Sequence, residues 1–155
     1  MLEAEYSFAR DTSAVAHGRV QFRMETFREG FERMVCTGEP PWEMLADDFV
    51  WDMSLVAWAE QGEYVGREGF QEFLDDWYAE FDDWKLEPIE MLRIGDQIVV
   101  VARQTARARG SGVPVDMVFA QIWSGNDQML ATRARMCESR EQAIEIAEAE
   151  AEANT

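Results

Sequence analysis

Histidine is nearly absent from this chain, His17 being the only one. A zinc site built from Cys and His needs more ligands than one His and two Cys supply. A Ser-His-Asp triad would have to draw on His17, which sits in a polar N-terminal stretch. Cys36 and Cys137 lie far apart and form no spaced motif, so they read as two reduced, partly buried thiols. Basic residues are scarce too: 14 Lys and Arg stand against 31 Asp and Glu, a net charge of −17. So acidic a surface repels phosphate backbones and anionic lipid, which argues against nucleic acid and membranes as partners. No apolar run approaches the roughly 20 residues of a spanning helix. Residues 1–10 lack a basic region followed by an apolar stretch, so no secretion signal is expected and a cytoplasmic location is the default. Gly110-Ser111-Gly112 lacks the Lys and the length of a phosphate loop and reads as a turn. Neither a metal nor a cofactor is expected.

What the chain does have is apolar mass. Its 155 residues suit one domain, 47% of them are hydrophobic and six are Trp, which fit cores and pocket walls alike. Residues 1–17 read as a mobile arm, 18–147 as the domain and 148–155 as an acidic tail. From Val20 onward, Met24, Phe27, Phe31, Met34 and Val35 recur at helical steps, and Gly38 stands where a helix would end. Pro40-Pro41 opens a short second helix through Trp42, Met44 and Leu45. In residues 49–54, Phe49, Trp51 and Met53 alternate with Val50, Asp52 and Ser54, which is strand period. A third helix spans about residues 67–81, with Phe70, Phe73, Leu74, Trp77, Tyr78 and Phe81 as its apolar stripe. Four strands follow, at about 84–94, 97–109, 113–124 and 128–137, joined by Gly95-Asp96, Gly110-Ser111-Gly112 and Gly125-Asn126-Asp127. Ser139 and Gln142 have capping-box spacing for a last helix. The fold class is therefore α+β: a cone-shaped, curved antiparallel sheet covered by three helices from the N-terminal half, plus a C-terminal helix.

Several pieces in this order resemble a known family. They are Gly38-Glu39, Ala46-Asp47-Asp48-Phe49-Val50-Trp51-Asp52, Tyr64-Val65-Gly66-Arg67-Glu68-Gly69, Gly95-Asp96-Gln97-Ile98-Val99-Val100, and Arg133-Ala134-Arg135 leading to Glu141-Gln142-Ala143. Together they resemble the SnoaL-like, ketosteroid-isomerase-like branch of the nuclear transport factor 2-like superfamily, from about residue 20 to 147. The resemblance implies a cone with one pocket, but it does not imply a reaction, because the fold hosts several enzymes and pure binding modules. Laid on this sequence, the isomerase pattern places its helix Tyr on Phe31, its base on Met53 and its oxyanion Asp on Gln121, so all three acids and bases are replaced. The Asp-Arg-Asp relay of the epoxide-hydrolase member is absent, since Arg103 is followed two later by Thr105 and Asp116 has no Arg beside it. The His of the dehydratase member has no counterpart except His17.

The same register predicts the pocket wall. It comprises Phe27, Phe31, Phe73 and Trp77 from helices, Trp51 and Met53 from the first strand, and Ala102, Gln104, Met117, Phe119, Gln121, Trp123, Arg133, Arg135 and Cys137 from the long strands. Two arginines on one inward face need partners. An internal carboxylate such as Asp52 or one on the third helix would serve, as would a ligand carboxylate, with Gln104 and Gln121 orienting a carbonyl; otherwise they face solvent or a second subunit. Two functions stay open. One is a small-molecule binding module for a hydrophobic or aromatic molecule, carboxylate-bearing ones among the candidates. The other is a cofactor-free lyase, isomerase or cyclase using Asp52 as acid or base. A homodimer is expected through Val99, Val101, Val118, Ala120 and Ile122, which are too apolar for an open sheet face.

Overall fold

The computed structural model describes residues 7–8, 23–57 and 62–154. His17 and the rest of the expected N-terminal arm, apart from a two-residue strand β1 (Ser7–Phe8) that pairs parallel with Glu90 and Met91, lie outside the described residues, as does Val20 at the expected start of the first helix. The helix α1 spans Met24–Thr37 and turns Phe27, Phe31 and Met34 into the interior. It stops at Gly38, whose φ of 77° is left-handed and whose N–H donates to Met34 O; glycine adopts that conformation at no steric cost. The Pro40-Pro41 segment makes only one 3-10 turn, Trp42–Met44. The chain then enters β2 (Leu45–Asp52) four residues earlier than the alternation suggests, because Leu45 already pairs with Ala131 ahead of a register shift. After β3 (Glu63–Val65), α2 (Gly66–Glu80) buries Phe70, Phe73, Leu74 and Trp77. The long strands are β4 (Phe81–Ile94), β5 (Gln97–Ala108) and β6 (Pro114–Gly125). They are followed by β7 (Ala131–Cys137) and the helix α3 (Arg140–Ala153).

The sheet order is β1-β4-β5-β6-β7-β2-β3. From β4 to β7 it is the antiparallel meander that the turns predict. Its end is mixed rather than antiparallel, since β2 lies parallel to β7 before β3 returns antiparallel. The sheet has two apolar faces. The inner face joins α1 and α2 in a core that includes Phe49, Trp51, Met53, Ile98, Val100, Phe119 and Trp123. The outer face carries Val99, Val101, Ala120, Ile122 and Cys137, packed on Ala143 and Ala147 of α3.

That outer layer corrects the expected dimer face. Four of its five residues are covered by the chain's own α3, and only Val118 stays open, at 51% exposure. α3 is fixed at its start as its sequence predicts: Ser139 Oγ accepts from Gln142 N at 3.1 Å. The reciprocal bond reaches one residue further back than in a capping box, with Gln142 Oε1 accepting from Glu138 N. Near its end Gly95 meets the helix so closely that a Cβ there would stand 2.9 Å from Ala151 Cβ.

Candidate functional site

Between α1, α2 and the inner sheet face the side chains leave two small cavities. One is lined by Trp51, Phe73, Leu74, Trp77, Tyr78, Trp84, Leu86, Gln104, Phe119, Gln121 and Met136, together with Met34 and Phe70. Its volume is about 40 Å³, room for about three waters. The second, about 30 Å³, is lined by Phe27, Gly30, Phe31, Pro40, Pro41, Met44, Leu45, Trp123 and Ala131, again with Met34 and Phe70. Met34 and Phe70 are therefore a shared wall. Aromatic contacts hold the frame: Trp51 stacks on Phe70 at 4.9 Å and Phe73 on Trp77 at 5.5 Å.

The polar groups of the larger cavity are few and of one kind. Gln104 and Gln121 are each only 2% exposed. Gln104 Oε1 accepts from the indole N–H groups of Trp77 (3.2 Å) and Trp84 (2.9 Å). Gln121 Oε1 accepts from Trp123 Nε1 at 2.8 Å. An indole N–H can only donate, so the atom facing it must be the amide oxygen. Each amide NH₂ is left with donors to spare: among the described residues Gln104 Nε2 donates only to Met117 Sδ, at 4.0 Å. A third donor, Trp51 Nε1, is buried with no acceptor among the described residues. An unmade bond of that kind costs about 1–3 kcal/mol. Tyr78 spends its hydroxyl on Gly38 O at 3.2 Å, and burial raises its pKa. Among the described residues no Asp, Glu, His, Lys or Arg lines either cavity.

Most of the expected wall is found here. Trp51, Phe73, Trp77, Gln104, Phe119 and Gln121 line the larger cavity, and Phe27, Phe31 and Trp123 the smaller. Met53 and Ala102 are fully buried in the core beside them and line neither; Met117 packs against it, partly buried. Arg133, Arg135 and Cys137 are the exceptions. Trp123 pairs with Ala134 and Gln121 with Met136, so it is Ala134 and Met136 that share the inner face. Ile122, on the outer face, pairs with Arg135. The expected register of β7 is thus off by one residue, and a one-residue slip exchanges the two faces. Its cause is a bulge at the start of β7: Gly125 pairs with Ala131 but Ser124 with Arg133, and the extra residue, Thr132, reverses the phase of all that follows. The turn alone, closed by Asn126 N donating to Leu130 O, would have given the expected register.

On the outer face both arginines have internal partners. Arg133 Nη2 donates to Asp52 Oδ2 at 3.1 Å and to Glu63 Oε2 at 2.6 Å. Arg135 holds Glu150 through two bonds of 2.8 and 2.6 Å. Its hydrogen bond to Glu150, more than any other effect, lowers the pKa of that carboxyl. Asp52 is only 4% exposed, but it belongs to this cluster, with Oδ1 accepting from Ser54 N. The alternation that turns Trp51 and Met53 inward carries Asp52 away from the cavities. Cys137 lies beneath α3, and burial raises its thiol to about 11; Cys36 is exposed rather than partly buried. Arg103 and Asp116 do form a bidentate pair across β5 and β6, at 2.8 and 2.5 Å, but on the exposed outer face.

Sequence reasoning missed Trp84, Met136, Leu86 and the Pro40-Pro41 wall. A correct β7 register gives Met136. Trp84 has no signal of its own, because its role depends on where Gln104 lands. Gly30 is legible as a glycine inside an apolar helix face, an arrangement that costs about 1 kcal/mol against Ala; a Cβ there would stand 2.7 Å from Met44 Sδ.

The fold and this site can be set against known proteins. Among solved structures, a SnoaL-like protein of Jannaschia sp. CCS1 superposes with a TM-score of 0.61 at 19% identity, over 83% of this chain and 92% of that one. An NTF2-like protein of unknown function from Burkholderia pseudomallei K96243 gives 0.60 at 21% identity, over 80% and 95%. A Mycobacterium tuberculosis protein, solved in complex with estradiol-17β-hemisuccinate, gives 0.58 at 18% identity, over 72% and 90%. No curated protein matches the sequence. The SnoaL-like domain matches residues 42–132, more than half of the chain. The protein belongs to the SnoaL-like domain family, on a nuclear transport factor 2-like, ketosteroid-isomerase-like fold.

Proposed function

We propose that this protein binds a small hydrophobic or aromatic molecule in the aromatic chamber between its helices and sheet. The observation that carries the reading is the chamber's lining: a wall of aromatic and apolar side chains interrupted by two buried glutamines, with no group that titrates near neutrality. Such a site orients a molecule by shape and hydrogen bonds and has nothing with which to relay a proton. The Mycobacterium tuberculosis relative, solved with a steroid ester, supports binding on this fold. Asp52 as acid or base gains no support, because it is engaged with Arg133 on the other face. A carboxylate-bearing ligand loses its expected anchors for the same reason. A homodimer is proposed only through the part of the outer face that α3 leaves open at Val118.

The chamber is nearly filled as it stands, so a ligand must displace the unbranched methionine side chains of its wall. The test is thermal melting against a panel of uncharged one- to three-ring aromatic molecules. A ligand at 100 times its Kd adds about 2.7 kcal/mol, which raises Tm by about 5–10 °C. Phe119→Trp, which fills the chamber, should abolish the shift. If no compound shifts Tm, or the shift persists in Phe119→Trp, the binding reading is overturned.

A further inference from the structure

The two cavities differ in chemistry. The larger carries every spare donor: Trp51 Nε1 and the Nε2 groups of Gln104 and Gln121. The smaller is wholly apolar, walled by Phe27, Phe31 and the Pro40-Pro41 turn. Only Met34 and Phe70 are common to both. Phe70 is fixed by its stack on Trp51, whereas Met34 has the unbranched, flexible chain that gives way at modest cost. Neither cavity alone holds more than a few waters, and joining them requires Met34 to turn aside.

We propose that they are the two ends of one site for an elongated, uncharged molecule. A carbonyl-type oxygen at one end is received by Trp51, Gln104 and Gln121, and an alkyl or aryl tail at the other lies between α1 and the Pro40-Pro41 turn. This rests on the binding reading above and adds the ligand's chemistry to it. These donor N–H groups outnumber the acceptor positions left in the chamber, the second lone pair of Gln121 Oε1 and the Tyr78 hydroxyl oxygen, and so favour an acceptor oxygen over an amine donor. Among the described residues no cation lines either cavity, and Arg133 and Arg135 are held by Asp52, Glu63 and Glu150 on the outer face. A carboxylate would therefore lose its water without gaining a counter-ion. The close approach of Met44 to Gly30 shapes the tail end, and a side chain at position 30 would compete for that space.

Four ligands separate the parts of the proposal, with affinity measured by titration calorimetry: 4-butylacetophenone, acetophenone, butylbenzene and 4-butylbenzoate. 4-Butylacetophenone should bind tightest. Loss of the butyl tail should weaken binding tenfold or more, at roughly fourfold per methylene. Loss of the carbonyl should weaken it about fivefold to tenfold, and the benzoate should be weaker than the ketone. Trp51→Phe, and independently Gln121→Leu, should collapse the ketone-over-hydrocarbon ratio toward one. Gly30→Leu should collapse the butyl-over-unsubstituted ratio. Equal binding of butylbenzene and the ketone, a benzoate that matches or beats the ketone, or a tail that gains nothing would each overturn the proposal while leaving the binding reading intact. If none of the four binds and the aromatic panel also fails, the binding reading itself falls.

Discussion

At the scale of single residues the decisive groups are those with one hydrogen-bonding sense. Trp77, Trp84 and Trp123 each turn an amide oxygen toward themselves, which leaves the amide nitrogens of Gln104 and Gln121 with donors to spare. Gln104 and Gln121 are legible in the sequence as polar residues at inward positions of strands with period 2, and they are where that period puts them. Arg133 and Arg135 look the same by period and are not, because a bulge at Thr132 inserts one residue opposite the Ser124–Gly125 step and reverses the phase of β7. Cys137 shares their fate. Its thiol lies beneath α3 and burial lifts it to about 11, so little thiolate forms below pH 9. Cys36, exposed on α1, should react with an aromatic disulfide reagent within minutes at pH 8, and Cys137 only after denaturant is added. One fast thiol in the native protein and two in urea is the expected count; two fast thiols in the native protein would place Cys137 at the surface.

At the scale of elements α3 was legible as a helix but not as a lid. Ser139 and the Ala-Glu alternation predict it, and the alternation alone suggests a solvated, fraying end. Partnership decides otherwise. Glu150 is bonded to both Arg135 and Gln97, and Ala143 and Ala147 cover the outer face. These contacts come from strands far away in the chain, so no local pattern announces them. The parallel β2–β7 pairing is hidden for the same reason, since turn chemistry reports only consecutive strands. Because the bond to Arg135 lowers the folded pKa of Glu150 below its ordinary 4.5, the pair stabilises the fold above that value and its contribution is lost as pH falls through the folded pKa. Glu150→Gln should therefore cost about 1 kcal/mol at pH 7, a figure kept small because Glu150 is partly exposed. The gap from the parent chain should narrow below pH 4.5. Urea denaturation at pH 7 and pH 4 reads both, and a gap that widens on acidification would contradict the assignment.

At the scale of the whole molecule, charge and the open strip act against each other. The chain carries −17, and two copies brought together repel over a Debye length of about 10 Å at 0.1 M salt, or about 30 Å at 0.01 M. Sequence alone offered an apolar sheet face as the compensating attraction. The structure covers most of that face with α3 and leaves the strip near Val118, bordered by the exposed Arg103–Asp116 pair. An interface so reduced has little hydrophobic area with which to overcome the repulsion, so association should depend on screening. Sedimentation at high micromolar protein is expected to show a monomer in 10 mM salt and a growing dimer fraction in 300 mM salt. Val118→Lys adds a buried-charge cost at the strip while lowering the net negative charge, so it separates the two effects. If the strip is the contact, the variant stays monomeric even in 300 mM salt. If it dimerises more readily than the parent chain, charge alone governs association and the strip is not the interface. A parent chain that remains monomeric in both salts would remove the homodimer altogether.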